Sequence, residues 1–569
     1  MLFTSVAGHL MELDFVEPYN KWGICPDIEL FEKETVKTVP EVVCICFICV
    51  SQSYYTLFCN QSFPISFQID KENMAKNLEE EARNCDTLIC WLDCDREGEN
   101  ICFEVMSVCR RTNPNIKVQR AKFSSLEAGH IRHAVHNLTV PNENDNDAVD
   151  ARQEIDLRIG AAFTRFQTRR LQRKFPQVLA DTVCSYGPCQ FPTLGFVVAQ
   201  WRRRKAFIPE KFWSIDVTVS VKPQPSFASD EKQQIEGVEK IKKLRSFTKS
   251  TKGESQNTKE TALFKWSRGK VFDQTIVTIL AGIVVENSTA VVTAVENKFR
   301  EKLRPKPLET VELQKRASRF LKLSSKDTMT LAEHLYQRGF ISYPRTETDQ
   351  FPEGADLKAL IRGQQQSSAW GAYAKSLLED QGFRPPIKGT KNDQAHPPIH
   401  PIRFTDTDFE VYNLLSLSNT TNFSSKEKEL YEFIVRHFLA CCSENAKGSE
   451  TKVTIDIAQE QFTTTGLVVL QRNYLDVYCY DRWTGKFIPE FLPNQTFVPD
   501  SILIADGITT APELLNEAQL ISLMDKHGIG TDATMAQHIA TIQDRVLFVF
   551  YFIYNHQRVF TFESCVILT

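Results

Sequence analysis

Three carboxylates on alternate residues, Asp93, Asp95 and Glu97, follow directly on the apolar run Thr87-Leu88-Ile89-Cys90-Trp91-Leu92. In an extended segment side chains two apart point the same way. The spacing therefore aims all three at one point beyond the C-terminal end of a strand, where open α/β sheets collect their ligands. Carboxylates this close repel unless a hard cation sits among them, and an all-oxygen set suits Mg²⁺. After Gly98, Ile101, Val105 and Val108 recur with helical spacing, so the pattern is strand, acidic turn, helix. A solvated acidic loop is the other reading of the same residues.

A second stretch, Ile341-Ser342-Tyr343-Pro344-Arg345-Thr346-Glu347-Thr348, sets a tyrosine two residues before an arginine. Pro344 between them fixes φ and removes a backbone donor. A phenol with a pKa of about 10 is a poor nucleophile at neutral pH, and a fixed guanidinium both favours phenolate and grips phosphate bidentately. Tyrosine attack on a phosphodiester follows. Taken alone, the stretch reads first as a half-buried Tyr beside a turn proline, and the nucleophile reading needs the acidic motif as its companion.

Together the two motifs resemble the type IA DNA topoisomerases, specifically the eukaryotic topoisomerase III group. The acidic run is similar to the metal-binding signature of that family's Toprim domain, and "ISYPRTET" to the segment carrying its nucleophile. Further matches are "TSVAGHL" from Thr4, "DARQEIDLRIGAAFTRFQT" from Asp150, "SYGPCQFPTLGFVV" from Ser185, "DQAHPPIHP" from Asp393, "YEFIVRHFLACC" from Tyr431 and "HGIGTDATMAQHIATI" from His527. "LACC" and "IDIAQEQF" look closer to the alpha than to the beta branch.

The resemblance implies a multidomain α/β plus mixed α and β fold, toroidal, with an N-terminal Toprim domain. It divides the chain into a Toprim domain at 1–140, lacking its first strand, a first segment of domain IV at 141–206, and a strand-rich arch at 207–307 and 441–510. A nucleophile domain at 308–440 and a shortened second segment of domain IV at 511–569 complete it. Tyr343 would form a 5′-phosphotyrosine link to single-stranded DNA, with Arg345 and His396 on the phosphate. Asp93, Asp95 and Glu97 would hold Mg²⁺, and Arg152, Gln190 and Thr193 would bind the entering strand. The implied partners are a RecQ-family helicase and an OB-fold accessory protein, acting in the nucleus on recombination intermediates, with a mitochondrial form an open alternative. The competing readings are a non-catalytic single-strand-binding fragment and another Toprim protein, such as a primase or nuclease; the Tyr343 segment argues against the last.

Composition agrees without narrowing the choice. A chain of 569 residues with 42% hydrophobic and 24% charged residues has room for several domains. The net charge of −4 does not exclude a nucleic-acid binder, because affinity follows where cations cluster. Two such clusters are Arg165, Arg169, Arg170, Arg173 and Lys174, and Arg202 to Lys205. Sixteen cysteines without a secretory signal point to reduced thiols, and Cys46 with Cys49 lacks a second pair at zinc-finger spacing. No P-loop pattern occurs, as expected where a phosphotyrosine link conserves the energy of the broken bond.

Coarser patterns predict a long amphipathic helix around Leu157 to Leu171, strands at 209–220 and 451–480, and a flexible insertion at 225–262. Two apolar stretches, 42–67 and 546–569, depart from the family pattern and read as noncoding or misassembled sequence rather than a membrane anchor. The family's opening glutamate and lysine have no recognisable counterpart, since Glu12 and Glu17 lie in unlike contexts. Impaired activity and aggregation are therefore expected of the chain as it stands.

Overall fold

The computed structural model describes residues 4–6, 8–40, 71–123, 128–221, 260–379, 382–405, 424–532 and 534–544. The stretches 42–67 and 546–569, the Cys46–Cys49 pair and nearly all of 225–262 lie outside them. Two compact units emerge. Among the described residues, one is built on those up to Gly195 with Asn392–Pro397 and 524–544, the other on those within Phe196–Lys391 and Pro398–Leu523. No helix among the described residues is long and apolar enough to cross a membrane.

In the first unit, β1 (Glu12–Phe15) and β2 (Thr35–Thr38) pair antiparallel. After α1 (Lys71–Ala82), β3 (Thr87–Cys90) leads through the acidic turn into α2 (Arg96–Thr112) and on to β4 (Lys117–Arg120), parallel to β3. Val105 and Val108 turn inward as their spacing predicts, against Leu10, Leu78 and Ile116. The strand is shorter than the apolar run: it stops at Cys90, and Asp95 caps α2 by accepting from Gly98 N at 2.7 Å. An added Cβ on Gly98 would lie 2.1 Å from the Asp93 carbonyl oxygen, so only glycine allows this tight a turn.

Following α3 (Ala128–His136), α4 (Glu143–Lys174) runs for 32 residues, about 48 Å. The predicted helix forms, and Leu157 and Ala161 pack with Ala162 against Phe15 and Leu30 as expected, but its inward surface is shared with polar residues and part of its apolar set faces out. Its buried residues are Val149, Ala162, Arg165 and Thr168, while Ile155, Phe163 and Phe166 are exposed. Arg165 donates to the carbonyls of Tyr19, Asn20 and Lys21, and Arg169 pairs with Asp27. The irregular 19–21 backbone needs donors that no strand supplies. These two members of the basic cluster are thus turned inward, leaving Arg170, Arg173 and Lys174 exposed. A short α5 (Pro176–Leu179) and α6 (Gln190–Lys205) follow.

The second unit holds an antiparallel sheet of β5 (Lys211–Val221), β6 (Glu260–Trp266), β7 (Ala290–Lys302), β8 (Ala446–Ile457), β9 (Glu460–Gln471), β10 (Thr496–Phe497) and β11 (Ser501–Ile508). Its order is β10-β7-β8-β9-β6-β5-β11. The alternation in "TKVTIDIA" has its predicted consequence, with Val453, Ile455 and Ile457 buried beside Phe264 and Phe462 and under α7 (Gln274–Glu286). The strand reading fails beyond Gln471. Asn473 takes φ 48°, Asn473–Asp476 forms a 3₁₀ turn, and Tyr474 and Tyr478 enter the helical core instead.

That core gathers α8 (Thr310–Arg316), α9 (Ser325–Gln337), α10 (Leu357–Gly363), α11 (Gly371–Glu379) and α12 (Ser425–Cys441). A capping box between Ser424 and Glu427 starts α12, which then buries Leu430, Phe433, Ile434 and Phe438. His437 lies among them, with Nε2 2.8 Å from Lys306 O and Nδ1 3.2 Å from the Tyr478 hydroxyl. Burial first, then the Arg316 charge, pushes its pKa down to about 3. The unfolded chain takes up this proton below about pH 6.5 and the folded one does not, so stability is full above that pH and falls as pH drops toward 3. Urea melts should therefore show this group costing wild type on the order of 2 kcal/mol between pH 7.5 and 5. His437→Gln, less stable overall, should show a correspondingly shallower fall; parallel pH profiles would remove His437 as the cause.

Candidate functional site

The acidic turn is fastened from behind by Arg120, which has no solvent exposure. Its Nε donates to Glu99 Oε1 at 3.0 Å, Nη1 to the carbonyls of Leu92 and Ala121, both at 2.9 Å, and Nη2 to that of Asp93 at 2.5 Å. Glu99 also accepts from Asn142 N at 3.1 Å, tying the turn to the start of α4. One guanidinium thus supplies the donors that an unpaired turn would otherwise lack.

In front lies a chain of alternating charges. Arg152 Nη1 reaches Glu97 Oε1 at 2.7 Å, and His9 bridges Glu97 at 3.0 Å and Glu104 at 3.1 Å. Lys37 Nζ then joins Glu104 at 2.7 Å to Asp150 at 2.8 Å. Hydrogen bonds that His9 donates to Glu104 and then to Glu97 push its pKa up to about 9, so its imidazole is charged at neutral pH. His9 in turn is the main influence holding the Glu97 carboxyl below its ordinary range. For Glu104 burial is the largest single influence and acts upward, yet His9 and Lys37 together bring it down.

This geometry revises the alternate-residue argument. Asp93 lies beyond the strand, Asp95 is a helix cap and Glu97 sits in the first helical turn, so the carboxylates are not displayed on one face of a strand. Among the described residues no group of three or more His, Cys, Asp or Glu is arranged to hold an ion. In kind, the all-carboxylate donor set still fits a hard divalent cation.

The Tyr343 segment belongs to the second unit and is held by neutral hydroxyls. Thr310 Oγ1, fully buried at the start of α8, donates toward the carbonyls of Pro344 at 2.7 Å and Thr346 at 3.0 Å and accepts from Thr346 N at 2.7 Å. On the other side, Ser342 N donates to His400 O at 3.0 Å, and Ser342 Oγ accepts from His400 N at 3.0 Å. Between these clamps Tyr343 is half-buried, its ring edge-on to Tyr336 with centroids 5.1 Å apart. Arg345 Nε donates to Glu333 Oε1 of α9 at 2.8 Å.

The remaining expected residues all fall in the first unit. Arg152 is paired with Glu97, and Gln190 opens α6. Thr193 is fully buried, its hydroxyl donating to Cys189 O at 2.7 Å. His396 is buried in a turn whose amides, from Ala395 and His396, are accepted by Asp393 Oδ1. Sequence reasoning missed His9, Lys37, Glu104 and Arg120 as parts of the acidic cluster. His9 was visible inside "TSVAGHL", but Lys37 and Arg120 stand in no local pattern.

Residues 2–126 match the Toprim domain family and residues 140–550 the DNA topoisomerase family. Human DNA topoisomerase 3-alpha is 45% identical over 96% of this chain and 47% of its own length. DNA topoisomerase 3 of Schizosaccharomyces pombe is 39% identical over 95% of this chain and 75% of its own. Full-length topoisomerase I from Thermotoga maritima shares the fold, with a TM-score of 0.61 over 95% of this chain and 74% of that one, at 22% identity. The chain belongs to the type IA DNA topoisomerases, an isomerase family, and carries a Toprim domain, a class that binds divalent metal ions. It spans about half the length of the topoisomerase 3-alpha relatives from human, mouse and Arabidopsis thaliana. The non-catalytic fragment finds no support, because the family matches take in both the acidic turn and the Tyr343 segment.

Removing the Thr310 hydroxyl tests the clamp. Thr310→Val keeps the shape but leaves the buried Thr346 N–H without its acceptor, which should cost about 1–3 kcal/mol in denaturant unfolding. A change within experimental error would show that the segment does not depend on it.

Proposed function

We propose that this chain cleaves and reseals single-stranded DNA by transesterification, passing strands and relaxing negative supercoils without ATP. Membership of the type IA family carries this reading, because its two matched regions contain the acidic turn and Tyr343 respectively. The Tyr343 phenol oxygen attacks the scissile phosphorus and becomes linked to the 5′-phosphate as the phosphorus–3′-oxygen bond breaks, the phenol proton passing to solvent and the 3′-oxygen leaving as a hydroxyl protonated from solvent. Arg345 stabilises the charge that develops, exchanging the Glu333 carboxylate for a phosphate oxygen, one anion for another. His396 contacts the scissile phosphate or its neighbour, and Arg152, Gln190 and Thr193 line the path of the strand. Asp93, Asp95 and Glu97 would hold Mg²⁺, which when bound supplies alignment of the 3′-hydroxyl for resealing. The charged chain through His9 and Lys37 fixes Glu97 and keeps it ionised. A nuclear setting, with a RecQ-family helicase and an OB-fold accessory protein acting on recombination intermediates, completes the proposal.

Tyr343→Phe should abolish the covalent adduct to the 3′-labelled fragment of a cleaved oligonucleotide, trapped by denaturant, while single-strand affinity stays within about twofold. An adduct of wild-type yield would exclude Tyr343 as nucleophile.

The double variant Asp93→Asn with Asp95→Asn removes charge but not the helix cap, since Asn caps as well as Asp. It should raise the Mg²⁺ concentration needed for relaxation by at least about tenfold and slow resealing, leaving strand affinity little changed. Unchanged relaxation at limiting Mg²⁺ would reduce the acidic turn to a solvated loop.

A further inference from the structure

The rings on α4 stand where a core-facing helix would place polar residues. Phe163 is 45% exposed, Phe166 52% and Phe191, in the first turn of α6, 37%. Scattered apolar side chains on a surface need no explanation, but these are gathered. Tyr186 lies between Phe163 and Phe191, with ring centroids 4.9 Å and 4.7 Å away and interplanar tilts of 30° and 42°. The buried side of α4 does the holding. Thr164 Oγ1 accepts from Tyr186 N at 2.8 Å, Thr168 Oγ1 accepts from Cys184 N at 3.0 Å, and Gln167 Nε2 donates to Cys184 O at 2.6 Å. Polar residues thus fasten the 184–186 backbone along the helix, and the aromatic stack is presented to solvent in a fixed pose. A ring already ordered loses little further entropy when something stacks on it.

Helical geometry says what it is in line with. At 3.6 residues per turn, Ile159, Phe163 and Arg170 each fall within about 20° of the direction of Arg152, and Phe163 lies about 16 Å along the axis from Arg152. Arg152 is the residue that grips Glu97 of the acidic turn, and Arg170 is exposed on the far side of the rings. A cation, an aromatic face and a second cation along one line match the alternation of phosphate and base in a single strand. A protein partner's apolar surface would instead place the exposed Arg170 against aliphatic side chains, where its charge goes unmatched.

We propose that Phe163, Tyr186 and Phe191 form a stacking platform for bases of single-stranded nucleic acid, holding the strand in line with the acidic turn. The assignment rests on the topoisomerase reading and adds a subsite to it. Stacking accepts any base through its π-face, so the platform reads the presence of a base rather than its identity.

The test uses the full chain and fluorescently labelled oligo(dT), with binding followed by anisotropy. Phe163→Leu keeps apolar area but loses the ring, and Phe163→Ala with Phe191→Ala removes the platform; each should weaken binding, the double variant by about 5- to 100-fold. Phe163→Trp should restore or exceed wild-type affinity. An abasic residue scanned along the oligonucleotide should weaken wild-type binding at one or two positions and lose that effect in Phe163→Leu. The salt dependence should be unchanged, because the phosphate contacts remain. Thermal melts of Phe163→Leu and Phe163→Trp exclude misfolding as the source of the difference. Wild-type affinity in Phe163→Leu and in the double variant, with an abasic profile like that of wild type, would overturn the platform while leaving the Tyr343 adduct intact. A wild-type chain that neither binds oligo(dT) nor forms the adduct would overturn the underlying reading, and the platform's occupant with it.

Discussion

A guanidinium sealed from water organises the Toprim region. Burying Arg120 beside Glu99 carries a desolvation penalty of several kcal/mol per ion, which the pair repays only if the remaining hydrogen-bonding capacity is satisfied. Here it is satisfied by carbonyls of Leu92, Asp93 and Ala121, the backbone groups that a strand ending at Cys90 leaves without a ladder. The ion pair and the irregular turn therefore require one another. With the turn so fixed, Asp95 can cap α2, and the helix positions Glu97 toward His9 and Arg152.

The acidic turn and the Tyr343 segment are immobilised by different physics. Around Glu97 the positioning groups are charged, and they set protonation as well as geometry: His9 remains an imidazolium because two carboxylates flank it. Around Tyr343 they are hydroxyls and backbone amides, which fix the chain path without adding a formal charge next to the phenol. This division leaves the balance of charge to the carboxylate cluster and the path of the Tyr343 backbone to neutral groups.

Local patterns exposed much of this in the sequence. The helical spacing of Val105 and Val108, the alternation of Val453, Ile455 and Ile457, and the Tyr-Pro-Arg order each describe neighbours in the chain, and periodicity reports such neighbours well. What stayed hidden was long-range. Lys37 reaches Glu104 and Asp150, and Arg120 reaches back to Asp93; neither lysine nor arginine stands in a motif. The strand reading through Tyr480 failed because Tyr474 and Tyr478 have a strand's composition but are claimed by the core around α12, a tertiary demand that outranks β-propensity.

The α4 helix shows why the hydrophobic pattern alone misled. Leu157, Ala161 and Phe166 make it look like an element with one face in a core; Leu157 and Ala161 do pack with Ala162 against Phe15 and Leu30, but Phe166 is exposed and Arg165 and Thr168 share the buried surface. The segments packed there, Tyr19 to Lys21 and Thr182 to Tyr186, are irregular backbone with carbonyls and amides to satisfy, and only polar side chains can do that. Once the polar face is committed inward, the aromatic residues are left outward at a cost in solvation that packing elsewhere must offset. A fold that accepts this cost on the helix whose Arg152 reaches the acidic turn places apolar surface beside charge, and that combination is what a polymer of alternating phosphates and bases can use.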